Sequence, residues 1–392
     1  MSNNWNVVPF TEAVDICDTF RKPINSSERA SRIKGKEQSE LYPYYGATGQ
    51  VGFIDDYITD GEYVLLGEDG APFLDAFSNK AYIISGKTWV NNHAHVLRSK
   101  TNNKFLCYYL NSFNYKGYVS GTTRLKLTQA EMKRIPVPVP PLSEQERIVS
   151  RIEELFSQLD AGVETLKKTK AQLAVYRQAV LKEAFDSIED QYYQTLNTAI
   201  LGSPQNGLYK PKSDYSDNGT PILRIDGFYD GFIVKDYYYK RVNLTVDEIT
   251  RYSLEIGDLI VNRVNSMPYL GKCALVRFLG ETTVFESNMM RIKLDNETVN
   301  GDFLTYYLSS STGRKELTKS AKQAVNQASI NQTDVGNAIV PMPPVEIQKR
   351  LLTYIESRLS VCDSIEQTVD TALQQAEAMR QSILKEAFEG TL

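Results

Sequence analysis

Pro136-Val-Pro-Val-Pro-Pro141 and the Leu142-Ser-Glu-Gln-Glu146 that follows decide how the chain is built. Proline fixes φ, lacks an N–H and pushes its predecessor extended, so the first six residues cannot be helical. Ser143-Glu-Gln-Glu146 then reads as a capping box, with Ser143 and Glu146 satisfying orphan amides of a helix start. Beyond it the residues Ile148, Ile152, Leu155, Leu159, Gly162, Leu166, Thr169, Leu173, Tyr176 and Val180 follow alternating three- and four-residue steps. That is the heptad of a coiled coil. A helix of roughly 40 residues is about 60 Å long and has no core of its own, so it needs a partner stripe.

The partner lies further along the same chain. Leu181-Lys-Glu-Ala-Phe185 recurs as Leu384-Lys-Glu-Ala-Phe388, an offset of 203 residues. The same offset aligns Pro140-Pro141 with Pro343-Pro344, Gln145 with Gln348, Arg147 with Arg350, Ile152 with Ile355 and Asp160 with Asp363. Phe105–Leu110 matches Phe303–Leu308 at 198, and Gly61–Leu65 resembles Gly257–Val261 at 196. One ancestral unit therefore occurs twice, with indels confined to its globular part. The second heptad reads Leu351, Ile355, Arg358, Cys362, Ile365, Val369, Ala372, Ala376, Met379, Ile383, in which Arg358 departs from the apolar pattern. Ala372 and Ala376 suit a close antiparallel approach.

The expected fold is α+β: two α/β globules separated by two long antiparallel coiled-coil helices, related by an internal pseudo-twofold repeat. The expected segments are a globule over 1–141, a central helix over 142–187, a second globule over 188–344 and a C-terminal helix over 345–392. Strand-like runs such as Tyr63-Val-Leu-Leu66, Ala81-Tyr-Ile-Ile84 and Leu259-Ile-Val261, punctuated by Gly, Asp and Asn, make each globule mixed.

Hydrophobic residues at 42% and charged residues at 23% are ordinary for a globular protein. No apolar run reaches the roughly 20 residues that cross a bilayer, and the N-terminus has no signal-peptide pattern. Four scattered cysteines without a Cys-x-x-Cys pair argue against a zinc site and fit a reducing cytoplasm. The net charge of -4 hides an asymmetry: Gly86–Arg134 holds nine Lys or Arg against the single Glu131, whereas Val345–Leu392 holds five bases and eight acids. A basic stretch of that kind can bind phosphate locally while the total stays negative.

Two unlike globules on a long helical pair suit a ligand with two sites at fixed spacing, and duplex DNA is the commonest such ligand. Thr123-Arg-Leu-Lys-Leu-Thr128 with Ile135–Glu146, and Gln327-Ala-Ser-Ile-Asn331 with Ile339-Val-Pro-Met-Pro-Pro344, resemble the specificity (S) subunits of type I restriction-modification systems, the HsdS family. So do Tyr42–Gly49, Pro221–Asp226 and Gly257–Ser266, and the resemblance covers essentially the whole chain. It implies two target-recognition domains reading a bipartite, asymmetric site in double-stranded DNA. It also implies helices that set the gap and recruit two methyltransferase (M) subunits, joined by restriction-translocase (R) subunits for cleavage. S-adenosylmethionine, ATP and Mg would then belong to those partners, and this chain would bind no cofactor and catalyse nothing. A two-headed adaptor without nucleic acid is the second reading.

The residues agree with a non-catalytic role. Gly86-Lys-Thr88 lacks the upstream glycine of a phosphate loop, where Ala81 stands, and His93 and His95 have no accompanying cysteine or clear carboxylate for a metal. Asp55-Asp56 and Glu68-Asp69 read as solvated loop acids beside turn glycines. Base reading calls for Arg, Lys and amide or hydroxyl side chains in loops. The candidates in the first globule are Tyr44, Tyr45, Thr48, Arg124 and Lys126. In the second they are Arg224, Asn262, Arg263, Asn265 and Ser266, with Gln323, Asn326, Gln327 and Ser329 at the place equivalent to Arg124.

Overall fold

The computed structural model describes residues 5–325 and 327–392. Contacts divide the chain into two compact units, the residues up to Lys168 together with Val369–Leu392, and Thr169–Thr368. Each unit therefore holds one globule and a stretch of both long helices. The expected position of Asn326 lies outside the described residues.

In the first unit a four-stranded antiparallel sheet runs in the order Val14–Ile16, Ala94–Ser99, Tyr63–Gly67, Ala81–Ile84. Its central strand, Tyr63-Val-Leu-Leu-Gly67, is buried throughout. The two-residue period of a strand sends its side chains to opposite faces. Val64 and Leu66 pack with Leu106 and Leu110 of the helix Asn103–Ser112, while Tyr63 and Leu65 pack with Val90 and Val96 on the other side. A second sheet, ordered Gln50–Ile54, Tyr42–Tyr45, Lys87–Val90, Thr59–Asp60, completes this globule.

The second unit repeats the plan. Leu259–Asn262 lies between Met289–Ile292 and Cys273–Leu275, with Gln205–Asn206 at the edge. Leu259 and Val261 enter one core and Ile260 the other, the same alternation as in Tyr63–Gly67. The covering helix Gly301–Ser309 is capped by Asn300, whose side chain accepts from the Phe303 amide, as Asn102 accepts from Phe105.

The proline runs are extended, each in a two-stranded antiparallel ribbon. Asn6–Pro9 pairs with Pro136–Val139, and Tyr193–Thr195 pairs with Ile339–Pro341. The long helices follow, over Leu142–Asp186 and Val345–Glu389. The first begins one residue ahead of the expected cap: the amides of Glu144 and Gln145 both bond the Pro141 carbonyl. Ser143 thus lies within the first turn, and the Ser143–Glu146 box is replaced by that carbonyl. The second helix uses Pro344 in the same way, for Ile347 and Gln348.

Within each unit the two helices run antiparallel. Ile148 and Ile152 pack with Ile383, Leu384 and Ala387 in the first, and Arg177 reaches Asp363 in the second. The seam is narrower than the heptad suggests. Ile152, Leu159, Leu166, Leu173, Val180 and, on the partner, Cys362, Val369, Ala376, Ile383 recur every seventh residue and are buried or half-buried. The alternate row is covered unevenly: Ile148 is buried and Leu155, Thr169, Leu351 and Ala372 are half-buried, whereas Gly162, Tyr176, Arg358, Ile365 and Met379 are exposed, because the two helices meet chiefly along one row. Arg358 therefore carries no burial cost.

Candidate nucleic-acid interface

Beyond Gly67 the central strand of the first globule continues as Glu68-Asp69-Gly70, and a returning segment is stitched alongside it. The Leu127 amide bonds the Glu68 carbonyl at 2.8 Å, and the Gly70 amide bonds the Leu125 carbonyl at 2.9 Å. Gly121, at φ +98°, makes the turn, passing so close to Arg124 that a Cβ there would lie 2.3 Å from the Arg124 carbonyl oxygen. This mounting presents Arg124 and Lys126 at the surface. Arg124 Nε is 2.7 Å from Asp69 Oδ1, and Lys126 Nζ is 3.5 Å from Glu68 Oε1. Glu68 also pairs with Arg21, which lies 3.1 Å from Asp18.

Beneath this edge His95 is fully buried, Nδ1 lying 2.8 Å from Asp18 Oδ2 and Nε2 3.2 Å from the Leu127 carbonyl. His93 stays partly exposed, 3.5 Å from Asp69. Burial pushes the Asp18 carboxyl up, but His95, the Val96 amide and Gln129 outweigh it and hold it below the usual range. The histidines thus contact the acids of a polar network under the loop, His95 at Asp18 and His93 at Asp69. Glu68 and Asp69, expected as solvated loop acids, are partners of the very cations that sequence reading selected. Only their pairing across the fold, 55 residues apart for Asp69 and Arg124, reveals it.

The basic stretch Gly86–Arg134 does not form one patch. Lys104 pairs with Glu153 and Arg134 with Glu131, while Lys87 and Arg98 stack over Tyr57 and Tyr63. Among the other candidates of this globule, Thr48 is exposed and Tyr45 is half-buried against Tyr82. Tyr44 is a correction: it is 2% exposed, in a core with Ile54 and Trp89, and offers no surface to a ligand.

The second globule builds its counterpart as a small sheet, Val264–Asn265, Gln327–Ser329, Lys322–Ala324. Val264 pairs with Ser329 and Asn265 with Ala328, as Asp69 bridges Lys126. The Ile330 amide bonds the Arg263 carbonyl, as Leu127 bonds Glu68. Gln327 accordingly stands where Arg124 does, and Ser329 where Lys126 does. Gln323 and Gln327 are exposed, and Asn265, Ser266 and Ser329 are half-buried. Arg263 donates to the Ser287 carbonyl at 3.1 Å, and Arg224 lies 3.3 Å from Glu286. Asn262 is the second correction: it is fully buried and donates to the Tyr269 carbonyl, a core position at the strand end.

Each unit also has a groove between globule and helices. One, of about 640 Å³, is lined by Arg177, Tyr306 and Asp363 among others, and the other, of about 560 Å³, by Tyr108, Asp160 and Arg380. Exposed apolar side chains stand on the helices nearby, Val175, Tyr176, Val361 and Ile365 in one unit and Met379 in the other. Among the described residues no group of three His, Cys, Asp or Glu is placed to hold a metal, and no helix is long and apolar enough to cross a membrane.

Two diverged copies of one α/β fold, each offering a polar loop at the same strand end, define a duplicated recognition protein. The family model of the type I restriction modification DNA specificity domain matches residues 4–174 and again 200–375. The chain belongs to that family, the specificity subunits of type I restriction-modification systems. A Haemophilus influenzae protein named as a type I restriction enzyme specificity subunit is 27% identical over 94% of this chain and 91% of its own length. The EcoKI specificity subunit of Escherichia coli is 28% identical over 74% of this chain and 65% of its own length. A chain from a solved structure of type I R-M complex assembly has the same fold, with a TM-score of 0.70 at 16% identity over 100% of both chains.

Proposed function

We propose that this chain is the non-catalytic, DNA-reading subunit of a cytoplasmic type I restriction-modification complex. Residues 1–141 and 188–344 act as two target-recognition domains, each reading one half of a bipartite, asymmetric site. The helices over 142–187 and 345–392 set the gap and dock two M subunits, with R subunits joining for cleavage. S-adenosylmethionine, ATP and Mg act on those partners.

The observation that carries this reading is the loop at the same strand end in both globules, with different side chains in equivalent places. Arg124 and Lys126 stand where Gln327 and Ser329 stand in the other copy. Arginine and glutamine make bidentate contacts to different base edges in the major groove. A duplicated scaffold with unlike readers is what an asymmetric split site requires. Thr48, Tyr45, Arg224, Arg263, Asn265, Ser266, Gln323 and Asn326 complete the proposed DNA-facing set. The exposed apolar residues on the helices support protein docking there.

A methylome tests it. The chain is expressed with its methyltransferase partner in a methylation-free host, and modified adenines are sequenced. A split motif with a fixed gap, lost when this chain is omitted, is expected. An unchanged methylome from an assembled complex would overturn the reading in favour of the adaptor.

A further inference from the structure

Arg124 is not a loose surface cation. Its Nε side is held by Asp69 Oδ1 at 2.7 Å, and Nη2 lies 3.5 Å from His93 Nδ1. The guanidinium rests over Gly70, where a Cβ would sit 3.2 Å from Nε and so would crowd it. Among the described residues Nη1 makes no hydrogen bond, and the side chain is 59% exposed while Asp69 is 27% exposed. One edge of the fork is thus occupied and the rest is open to solvent.

A free arginine contacts any phosphate, whatever the sequence. An arginine pinned by a carboxylate has already lost much of its rotamer freedom, so a bidentate contact costs less when made. The carboxylate also repels a phosphate that approaches the same edge. Guanine, with O6 and N7 as paired acceptors in the major groove, matches the fork that is left. The second globule has no such pair, because Gln327 replaces Arg124 and Val264 stands in the register position of Asp69.

We infer that Asp69 is a specificity-determining positioning residue: it holds Arg124 to read a guanine in the half-site taken by the first globule. The inference rests on the DNA-reading role proposed above. Asp69 acts only through Arg124, so its removal should change which base is preferred more than whether DNA is held.

The test uses the complex with its methyltransferase partner and duplexes carrying the motif from the methylome, each position substituted in turn. Asp69→Asn and Arg124→Lys should each relax the preference at one and the same G·C pair, by roughly ten-fold or more. The other half-site should be unaffected, whereas Gln327→Ala should relax that half alone. Asp69→Asn should also bind non-specific duplex more tightly than the wild type. The inference is overturned if Asp69→Asn leaves every position unchanged, if the two variants relax different positions, or if the shared position is an A·T pair. Should Asp69→Asn fail to assemble, Asp69→Ser takes its place in the same comparison, and Arg124→Lys, which keeps the charge and touches no buried group, fixes the base pair that it must relax. Loss of any split motif in the wild-type complex would instead defeat the DNA-reading role itself.

Discussion

Arg177 Nη2 lies 2.7 Å from Asp363 Oδ1, and 203 residues away in each case Arg380 meets Asp160 in the other unit. The duplication therefore extends beyond the apolar seam to the ion pairs that flank it. Arg177 also reaches Glu366 at 2.8 Å, whereas Arg380 stacks over the Phe156 ring at 4.5 Å.

These pairs should contribute modestly. Asp363 is 69% exposed and Asp160 61%, so a double-mutant cycle on Arg177 and Asp363 should give a coupling below about 1 kcal/mol. Arg380→Ala should cost more than Asp160→Ala, because it also removes the stacking on Phe156. Urea denaturation midpoints of the four single variants would show the order, and equal effects of Arg380→Ala and Asp160→Ala would contradict it.

Gln348 matters more. Its side chain is fully buried, donating to the Pro343 and Thr298 carbonyls and accepting from the Asn300 amide at 2.8 Å. It ties the start of the second long helix to the capping residue of Gly301–Ser309. Gln348→Ala leaves those three groups unpaired, and a loss of about 2 kcal/mol or more is expected. Thermal unfolding reads it directly. Gln145, the equivalent in the first unit, bonds Pro140 and Thr101 and should show the same effect at somewhat smaller size.

Lys272 predicts a pH dependence. It is 7% exposed with Nζ 3.8 Å from the Tyr229 ring centre, and burial brings its ammonium down to about 8 from the ordinary 10.5, against the attraction of Asp226. The unfolded chain keeps this proton up to 10.5 while the folded chain releases it near 8, so stability should rise with pH between those values. Lys272→Met should remove that rise and gain stability at neutral pH. Denaturation of both proteins at pH 7 and pH 9 (below the tyrosine range) measures it, and parallel curves would refute it.

Gly121→Ala should damage recognition more than stability. At φ +98° a side chain is strained, and its Cβ would meet the Arg124 carbonyl, so the loop must shift. About 1–3 kcal/mol of local strain is expected. Duplex binding by the assembled complex should weaken at the first half-site only, while the melting temperature falls by a few degrees.

Much of this was readable from sequence. The offset of 203 residues relates Gln145 to Gln348 and Asp160 to Asp363, and the structure gives each pair the same role. The proline runs marked the helix starts within a residue, because proline's constraint is local. The loops were harder. Arg124 and Gln327 could be placed at equivalent positions from the repeat, but Tyr44 and Asn262 look no different from surface residues in a string of letters. Burial depends on neighbours such as Trp89 and Tyr269 that arrive from elsewhere in the chain.

The sequence by itself determined the duplication, the two long helices and the mixed character of each globule. Periodicity, proline and glycine act over a few residues, and a repeat is visible as identity at a fixed offset. Only the tertiary structure decided that one heptad row is covered along its length and the other only in part, and that the basic stretch disperses into separate ion pairs and ring contacts. It alone showed that Asp69 holds Arg124. A strand end and a returning loop were brought together by sheet hydrogen bonds between distant segments, and charges interact by distance in space, which sequence separation does not encode.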